Sequence, residues 1–514
     1  MKKIFYTIAI GFLVCTSLNS CTKEDLDIKN PNTITEAQFW VSEGDAEKGL
    51  NAAYAMFYKP GLWARWIYFR LDLTSDEGYS VSPWAELADW TRFNYVNYNF
   101  FEGNVVTFRD TYKAVFRCNQ VLDKVPNIPF ADPNKQKSIL AQAKFLRALH
   151  YYYAALLWEN IPIVLASSKP DDQPARSTLN EVWAQVEKDL IEAEMDLPVV
   201  WDAPNLGRPT KGAARGYLAR TYMQQHKWGD AKNALDYFFT GLGKDKYSLI
   251  SQYRHNFTHE QENNTESVFE IQFSDLNKTE QYDDGQNANM VNNRPQFFAP
   301  RGLGWSDGQA RFWLINAFKE EPTLSGGIDE RLRYTLFYPS LTADFGDKVY
   351  GRNWEWNNNE AWFKKYSRDY YRNNEDNWAQ NNYRLIRYAD ILLMYAEVLN
   401  ELNSTGSAAQ YVDMVRNRAN LAPLATAHPS VLLEKDLFRE RIKKERVLEL
   451  CGESVRWADL KRWGELETQA KVNQVKLRDP DFNNFVVGKH IRLPLPASEI
   501  LNNPNLKDFQ NPLY

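Results

Sequence analysis

Two short segments concentrate the residue types that grip a flat, polyhydroxylated ligand. Residues 84–98 carry Trp84, Trp90, Arg92, Asn94, Tyr95 and Tyr98, and residues 282–305 carry Tyr282, Asp283, Gln286, Asn287, Asn289, Arg301 and Trp305. A pyranose has one apolar C–H face and a rim of hydroxyls. An aromatic ring covering about 40–50 Å² of that face contributes roughly 1 kcal/mol at ~25 cal/mol/Å². Amides and guanidinium groups then satisfy the hydroxyls through two-point hydrogen bonds. The ligand-binding set read from these segments is Trp84, Trp90, Arg92, Asn94, Tyr98, Tyr282, Asn287, Arg301 and Trp305, with Trp354 to Trp362 as a third candidate stretch. An aromatic content of 14 %, including 17 Trp, exceeds what a helical core alone requires, and part of it is expected at recognition surfaces.

Other chemistries find no anchor. No phosphate-binding glycine loop opens a βα unit, so nucleotide chemistry is not expected. His255 and His259 stand four apart, but Asn256 occupies the position where a zinc protease needs its glutamate. Asp479, Asp481 and Asn483 imitate the start of a calcium loop, yet Asn484 replaces the turn glycine and His490 the final bidentate glutamate. No catalytic residue, metal site or cofactor is assigned. A glycosidase needs two facing carboxylates, and a pair among 66 acidic residues is not legible from sequence. A net charge of −5 offers no basic field for nucleic acid. The run Glu445, Arg446, Glu449, Glu453, Arg456, Asp459, Arg462 steps by three or four. It reads as one helical ladder of alternating partners, a structural ion-pair face rather than an acid/base site, worth about 0.3–0.5 kcal/mol per exposed pair.

Several elements must position these groups. Met1-Lys2-Lys3 and the apolar run Ile4 to Val14 form a secretory signal, followed by Leu18-Asn19-Ser20-Cys21, a bacterial lipobox. Cys21 is the expected lipidation site. Acyl chains add about 0.8 kcal/mol of membrane affinity per buried CH₂. Residues 1–20 are thus signal and 21–34 a flexible tether. Helical periodicity runs from Thr35, as N-cap, to Tyr58. It recurs from Phe108 to Leu122 and from Ile139 to Leu156, then from Leu179 to Leu197 behind a Thr178/Glu181 capping box. Residues 213–235 and 391–415 read as helix–turn–helix pairs with small residues at the crossings, which must stack to bury both faces. Residues 241–385 are rich in Asn, Gly, Tyr, Trp and Pro, with a strand-like piece at Val268 to Phe273. The expected fold is mainly α: a tetratricopeptide-like helical repeat scaffold with a loop-rich, irregular insertion. It divides into residues 35–240, an insertion at 241–385, and a C-terminal helical part with its tail at 386–514, packed on the first. Cys118 and Cys451 sit within helical patterns and read as buried free thiols.

Taken in order, these pieces resemble the SusD/RagB family of surface glycan-binding lipoproteins. The resemblance is carried by the lipobox at Cys21, Arg117-Cys118-Asn119-Gln120, Arg147-Ala148-Leu149 and Tyr151-Tyr152-Tyr153. It continues through Arg387 to Glu397, Val415 to Ala419, and Glu445-Arg446 to Arg462-Trp463. It closes on Leu493-Pro494-Leu495-Pro496, Asn503-Pro504 and Gln510-Asn511-Pro512. What the resemblance implies is a non-enzymatic lipoprotein of the outer membrane that faces the cell exterior. Such a protein binds oligosaccharide and passes it to a TonB-dependent, SusC-like transporter. The alternative is a transporter-associated helical-repeat scaffold or peptide-binding lid with no glycan affinity. The family's ligand loops vary, so the resemblance transfers no binding residue.

Overall fold

The computed structural model describes residues 36–95, 102–169, 171–276, 290–507 and 510–514. Helix starts follow local capping chemistry. Helix α1 (Glu43–Tyr54) begins at Ser42, whose side chain accepts from Asp45 N at 3.3 Å while the Asp45 carboxylate accepts from Ser42 N at 3.1 Å. The helix expected from Thr35 is therefore broken: a single turn at Glu36–Phe39 precedes Ser42, and a capping box there outcompetes helix continuation. Thr35 lies outside the described residues.

α2 (Glu102–Lys124), α3 (Pro133–Trp158), α4 (Leu179–Asp196), α5 (Lys211–Gln224) and α6 (Trp228–Phe239) follow. Each packs on the next. The Thr178/Glu181 box forms at α4, where the Glu181 carboxylate accepts from Thr178 N at 2.7 Å. After the insertion come α7 (Tyr388–Glu401), α8 (Thr405–Arg418), α9 (Lys435–Leu450) and α10 (Arg456–Arg462). α7 packs on α6, α8 and α9, so the terminal helices join one stack. Gly216 on α5 is small because the strand Tyr383–Arg387 packs against it: a Cβ there would lie 2.7 Å from Ile386 Cδ1. The chain end also returns to the first part, where Leu493 N donates to Leu157 O at 2.7 Å. Cys118 and Cys451 are free and buried.

Among the described residues six short strands organise the remainder: β1 (Gly78–Tyr79), β2 (Ser267–Ile271), β3 (Gln309–Ala310), β4 (Leu336–Phe337), β5 (Trp362–Phe363) and β6 (Tyr383–Arg387). β2 and β6 pair antiparallel and hold residues 267–271 beside residues 383–387. β1, β3, β5 and β4 form an antiparallel sheet in that order, drawing residues near 79, 309 and 362 side by side.

The charged run at 445–462 is not an exposed ladder. Glu445 and Glu449 are fully buried, and Arg446, Glu453, Arg456, Asp459 and Arg462 nearly so. The helix breaks at Gly452, whose φ of +71° is left-handed. Most of the groups reach across to other elements. Arg387 on β6 binds Glu266, Glu449 and Glu453 at 2.7, 2.5 and 2.7 Å. Asp390 on α7 holds Arg220 of α5 and Arg446 of α9, both at 2.7 Å. Arg456 binds Asp76 at 2.7 Å. Spacing reports only which groups share a helical face; here that face is the one buried against neighbouring helices.

This network sets an acid limit. Burial opposes ionisation of Asp390, yet Arg220 and Arg446 hold it at about 2, below its ordinary 3.8. Asp76 is likewise held at about 2 by Arg456 and Arg478. Their stabilisation is present above pH 3.8 and is lost as pH falls toward 2. Glu77 and Glu262 work in reverse: burial pushes both from 4.5 up to about 8. They impose no cost while protonated and destabilise as pH rises from 4.5 toward 8. Through these four carboxylates, urea unfolding is expected to show stability falling below about pH 4, and Glu77→Gln or Glu262→Gln is expected to raise stability at pH 8 but not at pH 4.

Candidate functional site

The two sequence segments meet on one aromatic seam. Trp84 packs edge-on against Trp66 at 5.0 Å, Trp66 meets Phe69 at 5.6 Å, Phe69 meets Phe297 at 5.1 Å, and Phe297 meets Trp305 at 4.6 Å. The Arg65 guanidinium lies 5.6 Å from the Trp66 ring and 5.5 Å from Phe297, bridging the seam. Backbone bonds fix the Trp305 loop: Trp305 N donates to Gln296 O and Asp307 N to Phe297 O, at 2.7 and 2.8 Å. β1 leads into Ser80–Trp84 and β3 follows the Trp305 loop, so their pairing brings the two loops together. Trp305 is 46 % exposed and Trp84 is half-buried. Each ring is held by its neighbours and remains accessible.

A single polar contact locks the loops. Asp307, buried, accepts from Ser82, whose hydroxyl in turn accepts from Trp84 N at 3.1 Å. Burial pushes the Asp307 carboxyl from 3.8 up to about 6, with Ser82 opposing the shift. Its neutral form is therefore favoured in the folded state, and stability falls as pH rises from 3.8 through 6. Asp307→Asn is expected to raise unfolding free energy at pH 8 by about 1–2 kcal/mol and to leave it nearly unchanged at pH 4. Paired urea titrations at the two pH values check this.

The third stretch joins the same surface. Trp354 and Trp356 flank the buried Trp362 at 5.8 and 5.6 Å and each other at 5.2 Å. Trp356 Nε1 donates to Arg301 O and Trp362 Nε1 to Ser306 Oγ, both at 2.9 Å. Arg301 Nη2 binds both oxygens of Glu360 at 2.9 and 3.0 Å, yet the side chain is 56 % exposed. With their indole N–H groups bonded to protein, Trp356 and Trp362 need no ligand acceptor. Trp305, Trp354 and Trp356, with Trp84 at the far end of the seam, thus make up an aromatic shelf beside an exposed guanidinium held by the largely buried Glu360 carboxylate. Such a surface can stack an apolar ring face and hydrogen-bond its rim.

Not every sequence candidate belongs to the shelf. Trp90 is a correction: it is 8 % exposed, packed near Arg70 and Tyr95, and leaves no face for a ligand. The residue sits on the inward side of the short helix Ala85–Thr91, a placement that composition does not report. Arg92 Nη2 turns back to Ser80 O at 3.3 Å, and the exposed Asn94 donates to Asp89 Oδ1 at 3.2 Å. Tyr98, Tyr282 and Asn287 lie outside the described residues. Sequence reasoning missed Ser82, Asp307 and Glu360. Their only signal was proximity to the tryptophans, because the two-residue strands that align them are too short to show alternation. The rejected motifs are occupied by other contacts. His259 Nδ1 meets Tyr370 OH at 2.5 Å, and Asp479 pairs with Arg311 at 2.5 Å.

Comparison with known proteins gives a consistent relationship along the chain. The model described as SusD family matches residues 265–514, and one described as starch-binding associating with outer membrane matches residues 26–223. SusD-like protein P25 of Formosa agariphila is 26 % identical, with 98 % of each chain covered. A SusD superfamily protein from Bacteroides vulgatus superposes with a TM-score of 0.79 at 24 % identity, covering 91 % of this chain and 98 % of its own. Surface glycan-binding protein A from Bacteroides thetaiotaomicron, solved in complex with laminarihexaose, superposes with a TM-score of 0.74 at 21 % identity, covering 92 % of this chain and 100 % of its own.

Proposed function

From membership of the SusD family, to which this chain belongs, we propose that the tryptophan shelf binds an oligosaccharide at the cell surface and performs no chemistry on it. The observation that carries this reading is the accessible Trp305 and Trp356 beside the Arg301–Glu360 pair, with the half-buried Trp84 at the far end of the same aromatic seam. Each ring stacked on a pyranose contributes about 1 kcal/mol. Arg301 and Glu360 then offer both donors and acceptors to hydroxyls. The starch-binding description of the N-terminal match and the laminarihexaose complex of the B. thetaiotaomicron protein favour a glycan as ligand.

The chain is anchored through Cys21 to the outer membrane, faces outward, and hands its ligand to a TonB-dependent, SusC-like transporter. The match described as associating with outer membrane supports this placement. Among the described residues, no helix is long and apolar enough to cross a membrane. Titration calorimetry of the chain from residue 22 onward against laminarin, starch and other polysaccharides tests the proposal. Heat of binding to at least one glycan, with no sugar released, is expected. Silence across the panel, or release of reducing sugar, contradicts it.

A further inference from the structure

A second cleft lies away from the tryptophan shelf, between the helix Trp313–Lys319 and α9, with a volume of about 510 Å³. That size falls inside the range of roughly 300–1,000 Å³ typical of small-molecule sites. Trp313 lines it half-buried, and its indole N–H is already used, donating to Asp76 O at 2.6 Å. The Arg478 guanidinium lies 5.5 Å from the ring centroid, so what the ring offers the cleft is its C–H edge and the face away from Arg478. Asn316, exposed one helical turn on, adds a side-chain amide with both donor and acceptor.

The remaining walls are charged but balanced. Lys444 is bonded to Glu320, and Lys443 to Glu440 at 2.8 Å and Glu465 at 3.1 Å. Arg456 and Arg478 are both held by the buried Asp76, at 2.7 and 2.9 Å. Four cations thus face four carboxylates, and the cleft carries no net field to draw a polyion. An aromatic wall, a free amide and neutralised polar rims together fit a ligand that is uncharged, flat on one face and dense in hydroxyls.

We propose that this cleft is a second carbohydrate site, taking a neutral segment of about two sugar rings against Trp313. It builds on the glycan reading but uses none of the shelf's residues, so the two sites can fail separately. Saturation-transfer NMR on the full chain, held in a detergent without a sugar headgroup, tests it with laminaribiose, cellobiose and maltose as probes. The double variant Trp84→Ala/Trp305→Ala, which weakens the shelf about 30-fold, is expected to retain saturation transfer to at least one disaccharide, and the Asn316→Trp arm separates cleft signal from residual shelf signal. Adding Asn316→Trp, a substitution at an exposed helical position that fills the cleft, is expected to reduce that signal at least tenfold without changing the melting profile. Trp313→Ala is expected to reduce the signal likewise, with some loss of stability because its indole also donates to Asp76 O. Absence of transfer to all three probes in the shelf-weakened chain overturns the cleft. So does a signal that survives Asn316→Trp. Loss of binding in the shelf variant combined with strong binding in the wild type would leave the shelf standing and remove the cleft alone.

Discussion

Arg387→Met lowers the unfolding free energy by about 3–5 kcal/mol. The guanidinium sits fully buried among Glu266, Glu449 and Glu453 and also donates to Glu449 O at 2.7 Å. Burial opposes ionisation of Glu449, but Arg418, Arg387 and Arg331 hold its carboxyl well below the ordinary range. Removing one of these cations leaves buried negative charge that methionine cannot neutralise. The cost is therefore not the net worth of a salt bridge but the penalty of an uncompensated ion. Against a domain stability of typically about 5–15 kcal/mol, this is the largest single-residue effect expected in the molecule. Urea unfolding at pH 7 measures it. Adding Glu453→Gln to the variant is expected to recover part of the loss, since it removes one of the stranded carboxylates. Full stability in Arg387→Met would mean that the other cations already neutralise the cluster.

Trp84→Ala/Trp305→Ala weakens oligosaccharide binding by about 30-fold. Two stacked rings at about 1 kcal/mol each amount to about 2 kcal/mol, and 1.4 kcal/mol is a factor of ten. Both rings are at least partly open to solvent, so truncation creates no deep cavity, and the melting temperature is expected to stay within a few degrees. Titration calorimetry with the glycan bound by the wild type gives the ratio. Trp356→Ala adds a further loss through Arg301, because the indole N–H that fixes the Arg301 carbonyl disappears. Trp90→Phe, at the buried ring, is expected to leave affinity unchanged.

The helical scaffold was legible because its signals are local. Thr178 and Glu181 announce the start of α4 three residues apart, and the paired helices at 211–239 and 388–418 show small residues and breaks at turn positions. The strand Ser267–Ile271 was visible for the same reason. The burial of Glu449 and Arg456 was not, since a three-and-four spacing looks the same on a solvated face and on a buried one. The aromatic segments were visible by composition, and Trp84 and Trp305 stand at the two ends of one aromatic seam. Trp90 was misplaced because inward and outward rings on a seven-residue helix cannot be told apart without its neighbours. Ser82 and Asp307 escaped notice because their contact is made by pairing of β1 with β3, more than two hundred residues apart.

A crystal structure of the chain with the oligosaccharide selected by calorimetry tests the central claim most directly. The predicted result is a sugar ring stacked within about 4 Å of Trp305 or Trp84, with hydroxyls bonded to Arg301 or Glu360. A bound oligosaccharide that touches none of Trp84, Trp305 and Trp356 would contradict it.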